Sequence, residues 1–224
     1  RNWFAWGTYG LAFGYAAFTL KSPLLALIGV GGAYGIIAWG LNTKFLLPWY
    51  DPGGKNTADG NKWCDAAGIV VAFGAATLAF GLMNCPGGHG QAMPIVFIGT
   101  AFVSVLAAFF LAPPDWKKWA PFKIVCFFAG AILLMIFAYL MITLKADLKG
   151  GHGEKPDNLT WKICIACTVV GWGLYVALIH KGTELMEGKN KVAKSLRALT
   201  RVGIWYFWIA VFLPIVILCF TGIK

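Results

Sequence analysis

The tetrapeptide Gly-Gly-His-Gly occurs twice, at Gly87–Gly90 and Gly150–Gly153. Neutral imidazole is the commonest protein metal ligand, so His89 and His152 could share one ion if the fold joins the two loops. A metal centre generally needs three or four ligands, and only Cys85, Glu154 and Asp157 lie nearby in sequence. The pattern fits two solvated glycine-rich loops better than a metal centre. Cys164-Ile165-Ala166-Cys167 places two thiols on one helix face, as redox or metal work would require. Reactive pairs of this spacing sit at a helix start beside cationic charge. Here only Lys162 is close, so packing of small apolar side chains is the expected role. His180 ends another apolar run and has the chemistry of an axial ligand for haem or chlorophyll. Haem in a helical bundle takes two such ligands at depth. All three histidines stand at run ends, so a pigment or haem would have to be shared with a partner subunit.

The elements that carry these residues are legible from charge. Seven stretches hold no Asp, Glu, Lys or Arg: about 3–20, 23–42, 66–84, 92–112, 124–144, 163–180 and 202–223. A helix rises about 1.5 Å per residue, so each run can cross a hydrocarbon core of about 30 Å. The runs are too long, and lack the alternation, for barrel strands. Of the 224 residues 59% are hydrophobic and 12% charged, about half the charge of a soluble domain. The expected fold is all-α: one polytopic membrane bundle of about seven transmembrane helices, with no separate soluble domain. The chain opens on Arg1 with no readable signal peptide, so a removed leader or incomplete ends are both compatible with it. The six cysteines lie mostly inside apolar runs, unlike a secreted disulfide framework.

The 19 basic and 9 acidic side chains fall between these runs or at their ends. Charge at mid-membrane marks proton relays and ion sites, so ion-coupled transport by this chain alone is not expected. The net charge of +10 sits in short connections, which points to anionic lipid headgroups and not to nucleic acid. Lys and Arg number 13 on the side of the N-terminus and connections two, four and six, against 6 on the other. The positive-inside rule then puts the N-terminus on the cytosolic, stromal or matrix side and the C-terminus opposite.

The second connection reads as irregular, with Pro48, Pro52, Gly53 and Gly54 as turns and Phe45, Leu46, Leu47, Trp49 and Tyr50 as an interfacial belt. The sixth, from Lys181 to Arg201, reads as a helix lying on the membrane surface or extending the last span. Its Val192, Leu196 and Leu199 share a face, and Lys189, Lys191, Lys194, Arg197 and Arg201 are the candidate contacts for lipid headgroups or a partner. Asn158-Leu159-Thr160 matches the glycosylation pattern by chance, being too close to the membrane. Small residues four apart (Gly10 with Gly14, Gly31 with Gly35, Ala75 with Ala79, Thr100 with Ser104) predict close helix approach. The bulky runs 124–144 and 202–223 suit lipid, carotenoid-like ligands or a partner subunit. Pro214 predicts a bend near Ala210–Pro214.

The stretch Arg201–Trp208, continued through Pro214, resembles the sixth helix of microbial rhodopsins, with aromatics before an in-helix proline. It covers about a tenth of the chain. Those proteins carry a lysine at mid-depth of the last span; here that span has none, and Lys224 lies past its end. The resemblance therefore assigns no family.

Three functions remain. The first is an accessory subunit of a respiratory or photosynthetic type of membrane complex, with no catalytic site of its own. It would bind lipids, neighbouring helices and, in some forms, a pigment, haem or quinone. The second is a channel or facilitator for a small neutral solute, lined by hydroxyls such as Thr77, Thr100, Ser104, Thr168, Tyr34 and Tyr175. The third is a seven-helix receptor-like protein without a retinal lysine. A lipid-modifying enzyme would need a nucleophile, base or metal cluster, and none is visible.

Overall fold

A computed structural model describes residues 23–86, 88–111, 120–147 and 159–221. The described residues are helical almost throughout, joined by short connections. The first helix is continuous from Pro23 to Tyr50 but changes character along its length. It runs as α1 (Pro23–Gly35), widens into a π-helix (π1, Ile36–Leu46) and finishes as α2 (Leu47–Tyr50). There follow α3 (Ala58–Asn84), α4 (Gly88–Leu111), α5 (Pro121–Asp147) and α6 (Leu159–Leu185). The last helix comprises α7 (Lys191–Phe207), a π-turn (π2, Trp208–Phe212) and α8 (Leu213–Thr221).

Among the described residues, five helices are long and apolar enough to cross a membrane: 24–50, 58–84, 91–111, 159–185 and 191–220. The chain is a helical membrane protein. The run at 124–144 falls on α5, and the run at 3–20 lies outside the described residues.

The helices outrun the charge-free stretches. Phe45–Tyr50 is helical and not irregular, with Phe45, Leu46, Trp49 and Tyr50 exposed; Pro48 inside the continuous helix cannot donate to the preceding turn, and that turn is widened as π1. Of the second connection only residues 51–57 are non-helical. Thr57 then caps α3, accepting from Gly60 N–H at 3.1 Å, so the helix begins eight residues before the run at 66. Of the two readings of the sixth connection, the structure adopts the extension of the last span. Asn190 caps α7 by accepting from Ala193 N–H at 2.9 Å, and the helix continues unbroken into the apolar part.

Small residues set the core. α3 and α6 pack most extensively. A Cβ on Gly171 would stand 2.7 Å from the Val70 carbonyl oxygen, so the two backbones touch there. The pair Gly31 and Gly35 works as its spacing predicts: a Cβ on Gly31 would meet Ala210 at 2.6 Å, and one on Gly35 would meet Phe207 at 2.8 Å. Ala75 and Ala79 are fully buried. Gly10 and Gly14 lie outside the described residues. At Pro214 the local consequence is π2. Proline cannot donate to the carbonyl of residue 210 and its ring crowds that oxygen, and the preceding turn widens.

Candidate functional site: a buried ionic seam at one end of the bundle

The seam is built on one stripe of α7. Arg197, Thr200 and Arg201 share a face at helical spacing, and that face turns into the bundle. The Arg197 Nη2 donates to the Asp51 backbone carbonyl at 3.0 Å and to its Oδ2 at 3.1 Å. Asp51 terminates the first helix, its N–H bonded to the Leu47 carbonyl at 2.8 Å. The pair is nearly dry: the side chains are 9% and 8% exposed. Gly54 closes over it, and a side chain there would collide with both the carboxylate and the guanidinium. One turn on, Arg201 forks onto Asp65 of α3, Nε to Oδ1 at 2.9 Å and Nη2 to Oδ2 at 2.6 Å. This bidentate pair is wetter, at 29% and 22% exposed.

Between the two ion pairs lies Asn42, on π1 and 1% exposed. Its Nδ2 donates to the Leu196 carbonyl at 2.6 Å and to Thr200 Oγ1 at 2.9 Å, while Thr200 donates to the same carbonyl at 2.9 Å. The Oδ1 of Asn42 and the Nε of Arg197 are buried without a hydrogen-bond partner. Thr57 Oγ1 donates to the Leu185 carbonyl at 2.7 Å. Segments 51–57 and 186–190 therefore occupy the same end of the bundle.

This arrangement neutralises both arginines with carboxylates. Its chemistry is positional. Two ion pairs and an amide fix the rotation of α7 against α1, π1 and α3, a register role that buried polar groups can take. Deeper in the bundle most of the polar groups are engaged, the Thr100 hydroxyl alone of the candidate path hydroxyls being buried without a partner. Tyr34 and Tyr175 share a hydrogen bond, Tyr34 and Tyr206 rings lie 4.7 Å apart, and Trp172 Nε1 donates to the Val71 carbonyl at 3.3 Å. The Thr77 and Thr168 hydroxyls are 3.0 Å apart, and Ser104 donates to the Thr100 carbonyl at 2.7 Å. The hydroxyls that would line a solute path are thus largely engaged within the packed interior.

The candidate basic residues divide. Arg197 and Arg201 point inward onto Asp51 and Asp65 and are not available to headgroups in this arrangement. Lys189 and Lys191 are exposed, and Lys194 is half-buried with its Nζ 3.5 Å from the Glu184 carbonyl. His180 is exposed at the end of α6, its Nε2 3.3 Å from Glu184 Oε1. It borders a groove of about 120 Å³ between α4 and α6. His89 falls in the first turn of α4, its side chain outside the described residues, as is all of His152. Cys164 and Cys167 are half-buried, with free thiols. Among the described residues no three His, Cys, Asp or Glu side chains cluster as metal ligands would.

Asp51, Asp65, Asn42 and Thr200 were not candidates in the sequence reading. The available signal is the 197/200/201 spacing, a polar stripe on a helix whose other polar residues are Lys191, Lys194 and Ser195. No family model, curated protein or solved structure matches this chain.

Proposed function

We propose that the protein is a non-catalytic subunit of a larger membrane complex of the respiratory or photosynthetic type. In this reading it holds lipids and neighbouring helices, and a pigment or haem where a partner supplies the remaining ligands. The observation that carries this reading is α5. Among the described residues it packs substantially against α4 alone, and it turns Phe122, Val125, Phe128, Leu133 and Phe137 outward. Helix association in lipid is driven by packing contacts, not by escape from water. Among the described residues a bulky helix held along one edge leaves most of its packing surface uncovered, which supports a further packing partner. The close-packed interior and the mutually bonded hydroxyls support this reading over a solute channel. Taken with seven spans, the basic asymmetry supports an N-terminus and a seam on the cytosolic, stromal or matrix side.

The test is extraction of the native membrane in mild detergent, followed by native electrophoresis, mass spectrometry of the band and its visible absorption spectrum. Co-migration with other membrane chains is expected. Migration at monomer size in every mild detergent refutes the proposal, and flux of a neutral solute through proteoliposomes would replace it with a channel.

A further inference from the structure

The groove between α4 and α6 lies at the end of both helices, where Leu111 closes α4 and His180 and Lys181 approach the end of α6. Its walls are apolar and come from Ala108, Leu111, Val176 and Ala177, with His180 and Lys181 at the rim. The small side chains Ala108 and Ala177 make the hollow; the larger Leu111 and Val176 flank it. At about 120 Å³ it is below the roughly 300–1,000 Å³ of pockets that enclose drug-sized ligands. A ring cofactor would not be enclosed, whereas a flexible hydrocarbon chain can lie along it. The rim is polar and asymmetric. His180 is engaged by Glu184 at 3.3 Å, while Lys181 has no acidic partner among the described residues. At the same end Arg197 and Arg201 are neutralised by Asp51 and Asp65, so among the described residues Lys181 is the cation open to an anion at this rim.

We infer that this groove is a binding site for an anionic phospholipid, with one acyl chain against Ala108 and Ala177 and the phosphate on Lys181. An apolar trough with a cation at its mouth, at the end of two spanning helices, matches a phospholipid in both chemistry and direction. The long lysine stem lets the ammonium reach headgroup level from a backbone buried deeper. The inference rests on the chain spanning a membrane and not on its being a complex subunit, so either proposal can fail alone.

The experiment is native mass spectrometry of the full-length protein in detergent, titrated separately with phosphatidylglycerol and phosphatidylcholine of identical chains. Phosphatidylglycerol should be retained preferentially. Lys181→Gln should weaken its binding about fivefold, the factor one lysine supplies near anionic lipid, with phosphatidylcholine unchanged. Ala108→Phe, a substitution at an exposed position that need not disturb folding, should fill the trough and displace the tightest-bound lipid. Lys191→Gln, on the same end but away from the groove, should have no comparable effect. Equal retention of the two lipids, an unchanged titration in Lys181→Gln or Ala108→Phe, or an equal loss in Lys191→Gln would each overturn the site. A photo-cross-linker at Leu111 that captures a protein chain instead of an acyl chain would also overturn it.

Discussion

Removing one member of the Asp51–Arg197 pair should destabilise the bundle more than any other single charge change at this end. At 3.1 Å the gross attraction is about 5 kcal/mol at an effective dielectric of about 20. Most of that is offset by the cost of burying two ions, so the net worth of the intact pair is small. The single variants do not share this cancellation. Arg197→Met leaves a carboxylate that is 8% exposed with no cation, and Asp51→Asn leaves a buried guanidinium facing a neutral amide. Asp51→Asn should cost about 3 kcal/mol, at the low end of the range for broken buried pairs because the Asp51 backbone carbonyl still accepts from the guanidinium at 3.0 Å, and Arg197→Met, which leaves the carboxylate no such compensation, about 3–5 kcal/mol. The double variant should be at least about 2 kcal/mol more stable than the sum of the singles implies. Reversible unfolding in mixed micelles, followed by tryptophan fluorescence, reads all four corners of the cycle. Two singles within about 1 kcal/mol of wild type, or an additive double, would show that the seam does not hold α7 in register.

Three further outcomes follow from the same geometry. Asp65→Asn should cost only about 1 kcal/mol and lose part of that effect in high salt, because its pair is 22–29% exposed and screened despite better hydrogen bonding; the same unfolding assay at two ionic strengths checks it. Gly171→Ala should destabilise by about 1–3 kcal/mol, since its Cβ would press on the Val70 carbonyl at 2.7 Å. Gly32→Ala, with nothing within 4 Å, should be neutral or stabilising by up to about 1 kcal/mol, and equal effects at the two glycines would refute the close approach of α3 and α6. Thr77→Val and Thr168→Val should couple by about 0.6 kcal/mol in a double-mutant cycle, the usual worth of an interhelical hydroxyl pair in a membrane bundle; zero coupling would mean the two hydroxyls do not meet.

Sequence by itself determined the class of fold. Hydropathy and charge are properties of each residue, summed over a window, and lipid imposes the same requirement on every spanning segment. Within the described residues, the runs at 23–42, 66–84, 92–112, 163–180 and 202–223 therefore lie on helices of spanning length. The Gly31–Gly35 contact was legible for a similar reason, because a four-residue spacing of small side chains is local information. Helix ends were less legible. A charge-free run measures the hydrocarbon, whereas the helix continues until its hydrogen bonds end at Thr57, Asn190 or Asp51. Only the tertiary structure decided which way α7 faces. Five cations around a partly apolar helix read as a surface for headgroups, yet Arg197 and Arg201 turn inward. Their partners Asp51 and Asp65 lie 146 and 136 residues earlier in the chain, and Asn42 reaches the same stripe from 158 residues away. No local window contains both halves of such a contact. The rotation of a helix about its own axis is fixed by the neighbours it meets, and those neighbours exist only once the bundle has assembled.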